Sequence, residues 1–158
     1  MTPVNIAVAG AGVIGRAHMA VIAHDPQCRL CGIADPSEAA QTLAQEKGVP
    51  WFATLDALLA ATSPDGVVLA TPNALHVPQA LQCIAAGVPV LVEKPIAHTV
   101  ADAQKLVQAT QAHQAKVLIG HHRAHSPLMR QAKAVIDEGC LGTLVSVMGS
   151  ALFYKPDD

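Results

Sequence analysis

The sequence predicts an α/β protein built on a doubly wound parallel sheet. Three observations lead there. Short apolar runs alternate along the chain with amphipathic segments of helical length, the pattern of parallel strands joined by helical crossovers. The first apolar run, Val4 to Ala9, stops at Gly10, Gly12 and Gly15 and passes directly into a helical repeat. Hydrophobic residues make up 51% of the 158 residues but aromatic ones only 3%, so the core is built from Ala, Val, Leu and Ile, as suits helices packed closely on a sheet buried on both faces.

Each element follows from its own residues. The first helix is expected over about Val13 to His24, with Ile14, Ala17 and Val21 as its buried face and Asp25-Pro26 as its stop. A strand over Arg29 to Ala34 leads into Asp35-Pro36-Ser37-Glu38, a helix start with Asp35 as its cap, and that helix runs to Lys47 with Gly48 as its stop. A short strand at Trp51 to Ala53 and a short helix at Leu55 to Ala61 follow, then a turn at Ser63-Pro64-Asp65-Gly66. Val67 to Ala70 is a continuous apolar run, as a strand covered on both faces requires. A helix is expected from Pro78 to Ala86, with proline in its first turn and Gly87 just past its end. Val90 to Val92 and Val117 to Ile119 read as strands. Between them Thr99-x-x-Asp102 opens a helix whose apolar face is Ala103, Leu106 and Val107. Ser126-Pro127 opens a last helix with Leu128, Ala132, Val135 and Ile136 on one side and Gly139 as its cap.

Residues 1–120 are expected to form one dinucleotide-binding domain and 121–143 a connecting loop and helix. Leu144 to Tyr154 reads as a long strand without an evident partner: either the first strand of a second α/β domain that the sequence does not reach, or an extra edge strand on the same sheet.

Composition narrows the partners. A formal net charge of −2 with no basic block gives no reason to expect nucleic acid. No apolar run reaches membrane-spanning length, and the N-terminus lacks the basic start of a signal peptide, so the expected location is the cytoplasm. Cys28 and Cys31 form a C-x-x-C, but residues three apart on a strand point to opposite faces and no second pair completes a zinc site. Of the four cysteines, Cys83 and Cys140 stand alone, and the pair Cys28 and Cys31 is expected to be buried, reduced thiols. His121, His122 and His125 lack the spacing of a metal site, and no metal is expected.

The unusual polar residues fall where the strands end, and in an open α/β sheet ligands sit outside those carboxyl ends. The glycine turn suits a pyrophosphate: Gly10 for the sharp turn, Gly12 for close backbone approach, Gly15 for packing of helix on strand, with the helix amide end facing the anion. Asp35, 20 residues beyond Gly15, can accept from both hydroxyls of an adenosine ribose and repels a 2′-phosphate, and no arginine follows it directly. This favours NAD over NADP. Thr71-Pro72-Asn73, Glu93-Lys94-Pro95 and His121-His122-Arg123 end three further strands. Lys94, partly desolvated beside a cofactor, could move a substrate proton, and the Lys94–Pro95 bond is a candidate cis peptide. His76 could flank the nicotinamide or be a packed core histidine. Arg123 could face an anionic or hydroxyl-rich ligand.

In this order, GAGVIG at Gly10–Gly15, Asp35, TPNALH at Thr71–His76, EKP at Glu93–Pro95 and R-x-x-S-P at Arg123–Pro127 resemble the glucose–fructose oxidoreductase and inositol dehydrogenase family (Gfo/Idh/MocA) over nearly the whole chain. The resemblance implies a Rossmann-type fold. It implies that Gly10, Gly12, Val13 and Ile14 contact the pyrophosphate and that Asp35 holds the ribose. Thr71, Asn73 and His76 would line the nicotinamide side, with Glu93, Lys94 and Arg123 also at the cofactor and Lys94 as the catalytic lysine. It implies hydride transfer between NAD(P) and a sugar, polyol or related hydroxy compound, and a homo-oligomer at full length. Family members also carry a second α/β domain with an aspartate–histidine pair that works with the lysine, and the chain stops where that domain would begin. A non-catalytic NAD-sensing module and a methyltransferase-like fold are the alternatives; TPN and EKP weigh against the latter. Because substrate orientation supplies much of a rate enhancement, the 158-residue chain is expected to bind NADH yet turn over myo-inositol or glucose at background rate. Absorbance at the reduced-nicotinamide band checks this, and robust turnover would overturn it.

Overall fold

A computed structural model describes residues 2–150, and the chain falls into two compact units that divide between Gly120 and His121. In the first, six strands form one parallel sheet. The strands are β1 (Val4–Ala9), β2 (Cys28–Ala34), β3 (Trp51–Phe52), β4 (Gly66–Leu69), β5 (Val90–Val92) and β6 (Val117–Ile119), in the spatial order β3-β2-β1-β4-β5-β6. The helices are α1 (Val13–His24), α2 (Glu38–Lys47), α3 (Leu55–Thr62), α4 (Asn73–Ala85) and α5 (Val100–Ala112). Side-chain alternation along each strand builds two cores. Val8, Ile33 and Val68 pack with Met19 and Ile22 of α1 and Leu43 of α2. Their strand neighbours Ala7, Ala9, Val67, Leu69, Val90 and Val92 pack with α3, α4 and α5. The doubly wound parallel sheet expected from the alternation is therefore present.

One irregularity lies in β2. The β1–β2 register jumps from Ile6↔Leu30 to Ala7↔Gly32, leaving Cys31 as an extra residue. Cys31 joins the α3–α5 core and Cys28 the α1–α2 core, and both thiols are free, as opposite faces dictate. Burial pushes the Cys31 thiol up and the Cys83 thiol up to about 12, so neither is a ready nucleophile. Cys28 and Cys31 are half-buried rather than fully buried as expected, while Cys83 is buried and Cys140 exposed.

Three sequence expectations are corrected. The buried face of α1 is Gly15, Met19 and Ile22, while Ile14 and Val21 are 47% and 69% exposed. Gly15 lies hard against the turn below it, and steps of four and three from it select Met19 and Ile22. Helix α4 begins at Asn73, not Pro78, which sits in its second turn. The proline forfeits one intrahelical bond there, while the Leu75 N–H bonding to Pro72 C=O at 2.8 Å closes the first turn ahead of it. The cap of α2 is Ser37, whose hydroxyl accepts from the Ala40 N–H at 3.3 Å; Asp35 is left for other work.

The second unit contains a 3-10 turn at His122–His125 and α6 (Pro127–Asp137), with Pro127 in its first turn and Gly139 beyond its end at φ +75°. No residue of α6 is buried. Residues 144–150 form no strand: no ladder partner stands beside them among the described residues, and Val145 and Met148 are 94% and 98% exposed. The rest of that expected strand, 151–154, lies outside the described residues.

The corrected face of α1 has a direct check in urea unfolding. Met19→Ala is expected to cost about 2–5 kcal/mol through lost burial and a cavity, and Val21→Ala to stay within about 0.5 kcal/mol. Equal losses would reinstate the Ile14–Ala17–Val21 face.

Candidate cofactor-binding site

The chain leaves β1 at a point where no side chain fits. Gly10 has φ +91°, and a Cβ there would lie 2.4 Å from the Ala70 carbonyl oxygen at the end of β4. A Cβ on Gly15 would lie 1.9 Å from the Gly10 carbonyl oxygen. Gly12, at the N-terminus of α1, has no atom within 4 Å of a Cβ position and carries no side-chain cap. The first amides of a helix have no intrahelical acceptor, so the amino end of α1, with exposed Val13 and Ile14, opens onto free space.

Beside this turn is a cleft of about 480 Å³, lined among others by Gly10, Gly12, Asp35, Thr71, Leu75 and Gln79. It lies at β1, where the connections run out toward β2 on one side and β4 on the other, the place where ligands bind in doubly wound sheets. Its volume is within the range of small-molecule sites. A second hollow of about 450 Å³ lies along the sheet by Ile6, Ile22 and Leu118 and holds none of the expected site residues.

Asp35 is half-buried at the end of β2. Its Oδ2 accepts from the Ala11 N–H at 2.8 Å, and its Oδ1 from the Ser37 N–H at 2.9 Å and hydroxyl at 2.6 Å. Burial pushes the carboxyl up, but the bonds from Ser37 and the Ala11 amide outweigh it and hold the group below the usual carboxylate range. Asp35 is thus ionised at neutral pH, and it ties the glycine turn to the end of β2. The Trp51 Nε1–H, donating to the Asp35 carbonyl oxygen at 2.8 Å, fixes its backbone from behind.

At the end of β4, the Thr71 hydroxyl donates to Gln79 Oε1 at 2.6 Å. His76 is 1% exposed, with Nδ1 2.8 Å from the Pro95 carbonyl oxygen and Nε2 2.9 Å from that of Thr71. It is a packed histidine that joins the β4 and β5 loops and leaves neither ring nitrogen for a ligand. Asn73, the first residue of α4, is exposed.

After β5, the Lys94–Pro95 bond is cis. Lys94 is exposed. Glu93 does not line this cleft; its Oε1 is 2.9 Å from His18 Nε2, and its Oε2 accepts the Lys94 N–H at 3.1 Å. Burial pushes the Glu93 carboxyl up, and the bonds from His18 and the Lys94 amide more than reverse this. Arg123 belongs to the second unit, in the 3-10 turn.

Of the expected residues, the structure brings Gly10, Gly12, Asp35 and Thr71 to one cleft, with the amino end of α1 beside it. Gln79, Ser37 and His18 were not legible as site residues. Gln79 sat inside a helix expected to start only one residue earlier, and Ser37 was overshadowed by Asp35 as a cap. His18 is a polar position flanking the buried Met19, a signal available only once the face of α1 is known.

Residues 4–121 match the family described as "Oxidoreductase family, NAD-binding Rossmann fold" (GFO_IDH_MocA). The chain is 30% identical over 147 residues to the rhizopine catabolism protein MocA of Rhizobium meliloti, spanning 93% of this chain and 46% of that one. It is 31% identical over 120 residues to D-xylose 1-dehydrogenase [NADP(+)] of Haloarcula marismortui, spanning 74% and 33%. Among solved structures it superposes on scyllo-inositol dehydrogenase from Lactobacillus casei with bound cofactor NAD(H) and scyllo-inositol, with a TM-score of 0.85 and 26% identity over 89% of this chain and 43% of that one. The chain therefore spans less than half the length of these relatives.

The two lowered carboxyl groups give a signed pH dependence. Asp35 and Glu93 contribute stability that is fully present above their unfolded values of about 4 and is lost as pH falls through their lower folded values. Asp35→Asn is expected to cost about 1–3 kcal/mol at pH 7, because the amide cannot accept from all three donors, and to make the acid limb of stability against pH shallower. Denaturant titrations between pH 2.5 and 7 check both; an unchanged acid limb would remove Asp35 from the balance.

Proposed function

The chain belongs to the Gfo/Idh/MocA oxidoreductase family, and from that premise we propose that it is the dinucleotide-binding part of a dehydrogenase that oxidises a CH–OH group of a sugar, polyol or related hydroxy compound with NAD. The observation that carries this reading is an ionised Asp35 at the edge of a cleft whose other wall is the glycine turn and the uncapped start of α1. An adenine dinucleotide matches both: its pyrophosphate suits the open space at Gly12 and the α1 amides, and its ribose suits the carboxylate. The relatives' names include dehydrogenases of inositol and xylose and are divided between NAD(H) and NADP(H), so the cofactor choice rests on Asp35.

Each residue then has a task. Gly10, Gly12, Val13 and Ile14 seat the pyrophosphate. Asp35 accepts a ribose hydroxyl. Three of its roughly four acceptor sites are already engaged, so gripping both hydroxyls requires the Ser37 hydroxyl to let go. Thr71 and Gln79 line the cleft on the β4 side, and His76 holds together the two loops that would flank a nicotinamide. A nicotinamide bound there supplies hydride transfer at its C4. Lys94 moves the proton of the substrate hydroxyl, and its exposed position leaves it accessible to a substrate.

A 2′-phosphate brought to about 4 Å from the Asp35 carboxylate meets a repulsion of about 4 kcal/mol per unit charge at the effective dielectric of a protein surface. Calorimetry on the 158-residue chain is therefore expected to give tighter binding of NADH than of NADPH by about tenfold or more. Asp35→Ala should erase that preference. No heat with either cofactor, on folded chain, would overturn the reading.

A further inference from the structure

We propose that His18 is a positioning residue for Lys94, acting through Glu93: the imidazole and the Lys94 amide hold opposite oxygens of one carboxylate, in a socket that the missing side chain of Gly120 leaves open. The proposal rests on the reading of Lys94 as the group that moves the substrate proton.

Three elements meet at this carboxylate. His18 comes from α1, Glu93 from the end of β5 and Gly120 from the end of β6. His18 Nε2 stands 2.9 Å from Oε1, and the Lys94 N–H donates to Oε2 at 3.1 Å. The Glu93 side chain is only 13% exposed, so water does little to compete for it. A Cβ on Gly120 would lie 2.9 Å from Oε1 and 3.1 Å from Cδ. The carboxylate thus fills the place of a side chain on β6, and it is held there by a donor on α1.

The segment that carries Lys94 needs such a hold. Residues 93–99 have no regular secondary structure, and Pro95 has no N–H to offer. Beyond Ile96 and Ala97, which pack on the core, the segment is held by three hydrogen bonds: the Glu93 N–H on the Leu69 carbonyl at 2.9 Å, the Pro95 carbonyl with His76, and the Lys94 N–H on the Glu93 carboxylate. Only the last bears on Lys94 itself. A glutamate side chain has several rotatable bonds, and without a partner at Oε1 it would not keep Oε2 in place. His18 lies three residues beyond Gly15, on the helix that starts at the glycine turn. The element that seats the pyrophosphate is thereby the element that sets the lysine, and both reacting ends are referred to one rigid body.

A merely stabilising His18–Glu93 pair would alter melting and leave the placement of Lys94 against the cofactor unchanged. Acetylation of the 158-residue chain with an N-hydroxysuccinimide ester, read lysine by lysine in a mass spectrometer, separates the two. In the wild-type chain, saturating NADH is expected to slow labelling of Lys94 and not of Lys47 or Lys105. His18→Leu is expected to bind NADH within about threefold of wild type but to lose shielding of Lys94 by about tenfold, the weight of one charge-assisted hydrogen bond. His18→Gln, which keeps a donor, should recover most of it. Gly120→Ala, which displaces the carboxylate without touching His18 or Lys94, should repeat the loss, and it carries the test should His18→Leu fail to fold. Wild-type shielding in both His18→Leu and Gly120→Ala would overturn the proposal, as would loss of NADH binding in His18→Leu. Failure of the wild-type chain to bind NADH, or to shield Lys94 when it does, would instead overturn the functional reading beneath it.

Discussion

The structure depends on a contact between two stretches of backbone. Gly10 and the end of β4 approach so closely that a single added carbon would overlap the Ala70 carbonyl, and Gly15 does the same to Gly10. Neither clash can be relieved by a rotamer change, because the obstructing atoms belong to the main chain. The Gly10 N–H bonds to Ala34 C=O and the Ala70 N–H to Ala9 C=O, both at 2.8 Å, so the turn is also stitched to the strands on either side. The seat of α1, the floor of the cleft and the spacing of β1 from β4 are one geometric fact. The buried stripe of α1 follows from it, since Gly15 decides which side of that helix faces the sheet.

Above this floor, cross-loop polar bonds hold the walls. Asp35 ties β2 to the glycine turn, His76 ties β4 to β5, and Glu93 ties β5 to α1. The two carboxylates share a logic. Each is drawn out of water, which alone would favour its neutral form, and each is given a backbone amide and a side-chain donor that favour the charge. The result is fixed negative charge at two points among the loops that follow the strands. Such preorganisation lowers the entropy a ligand must overcome on binding.

What was legible in the sequence follows this division. Strands covered on both faces announce themselves as apolar runs, and the glycine turn, Asp35 and EKP are local signals that need no partner to be recognised. The errors lie where a distant contact overrules a local one. Pro78 looked like a helix start, but His76, held by carbonyls on two loops, draws the preceding turn into α4. Asp35 looked like a helix cap, but the Ala11 amide claims it and Ser37 caps instead. Leu144 to Tyr154 looked like a strand, but over its described part, 144–150, the apolar residues find no neighbouring strand to bond among the described residues. His18 and Gly120 lay 102 residues apart in the sequence and carried no motif. Only the fold makes them two sides of one socket.

The same division bears on how cofactor choice and chemistry are separated in this chain. On the proposed reading Asp35 acts on the adenosine end through charge, and the Ala11 and Ser37 amides hold that carboxylate in place. Lys94 sits on the other side of the switch point between β1 and β4, in a segment anchored through β4, β6 and α1 but not through β2. On the proposed readings, a change at Asp35 would alter which dinucleotide enters without moving the lysine, and a change at His18 would move the lysine without altering the charge the ribose meets. The two share the glycine turn and α1, and there Gly10 and Gly15 are the positions at which the backbone leaves no room for a side chain.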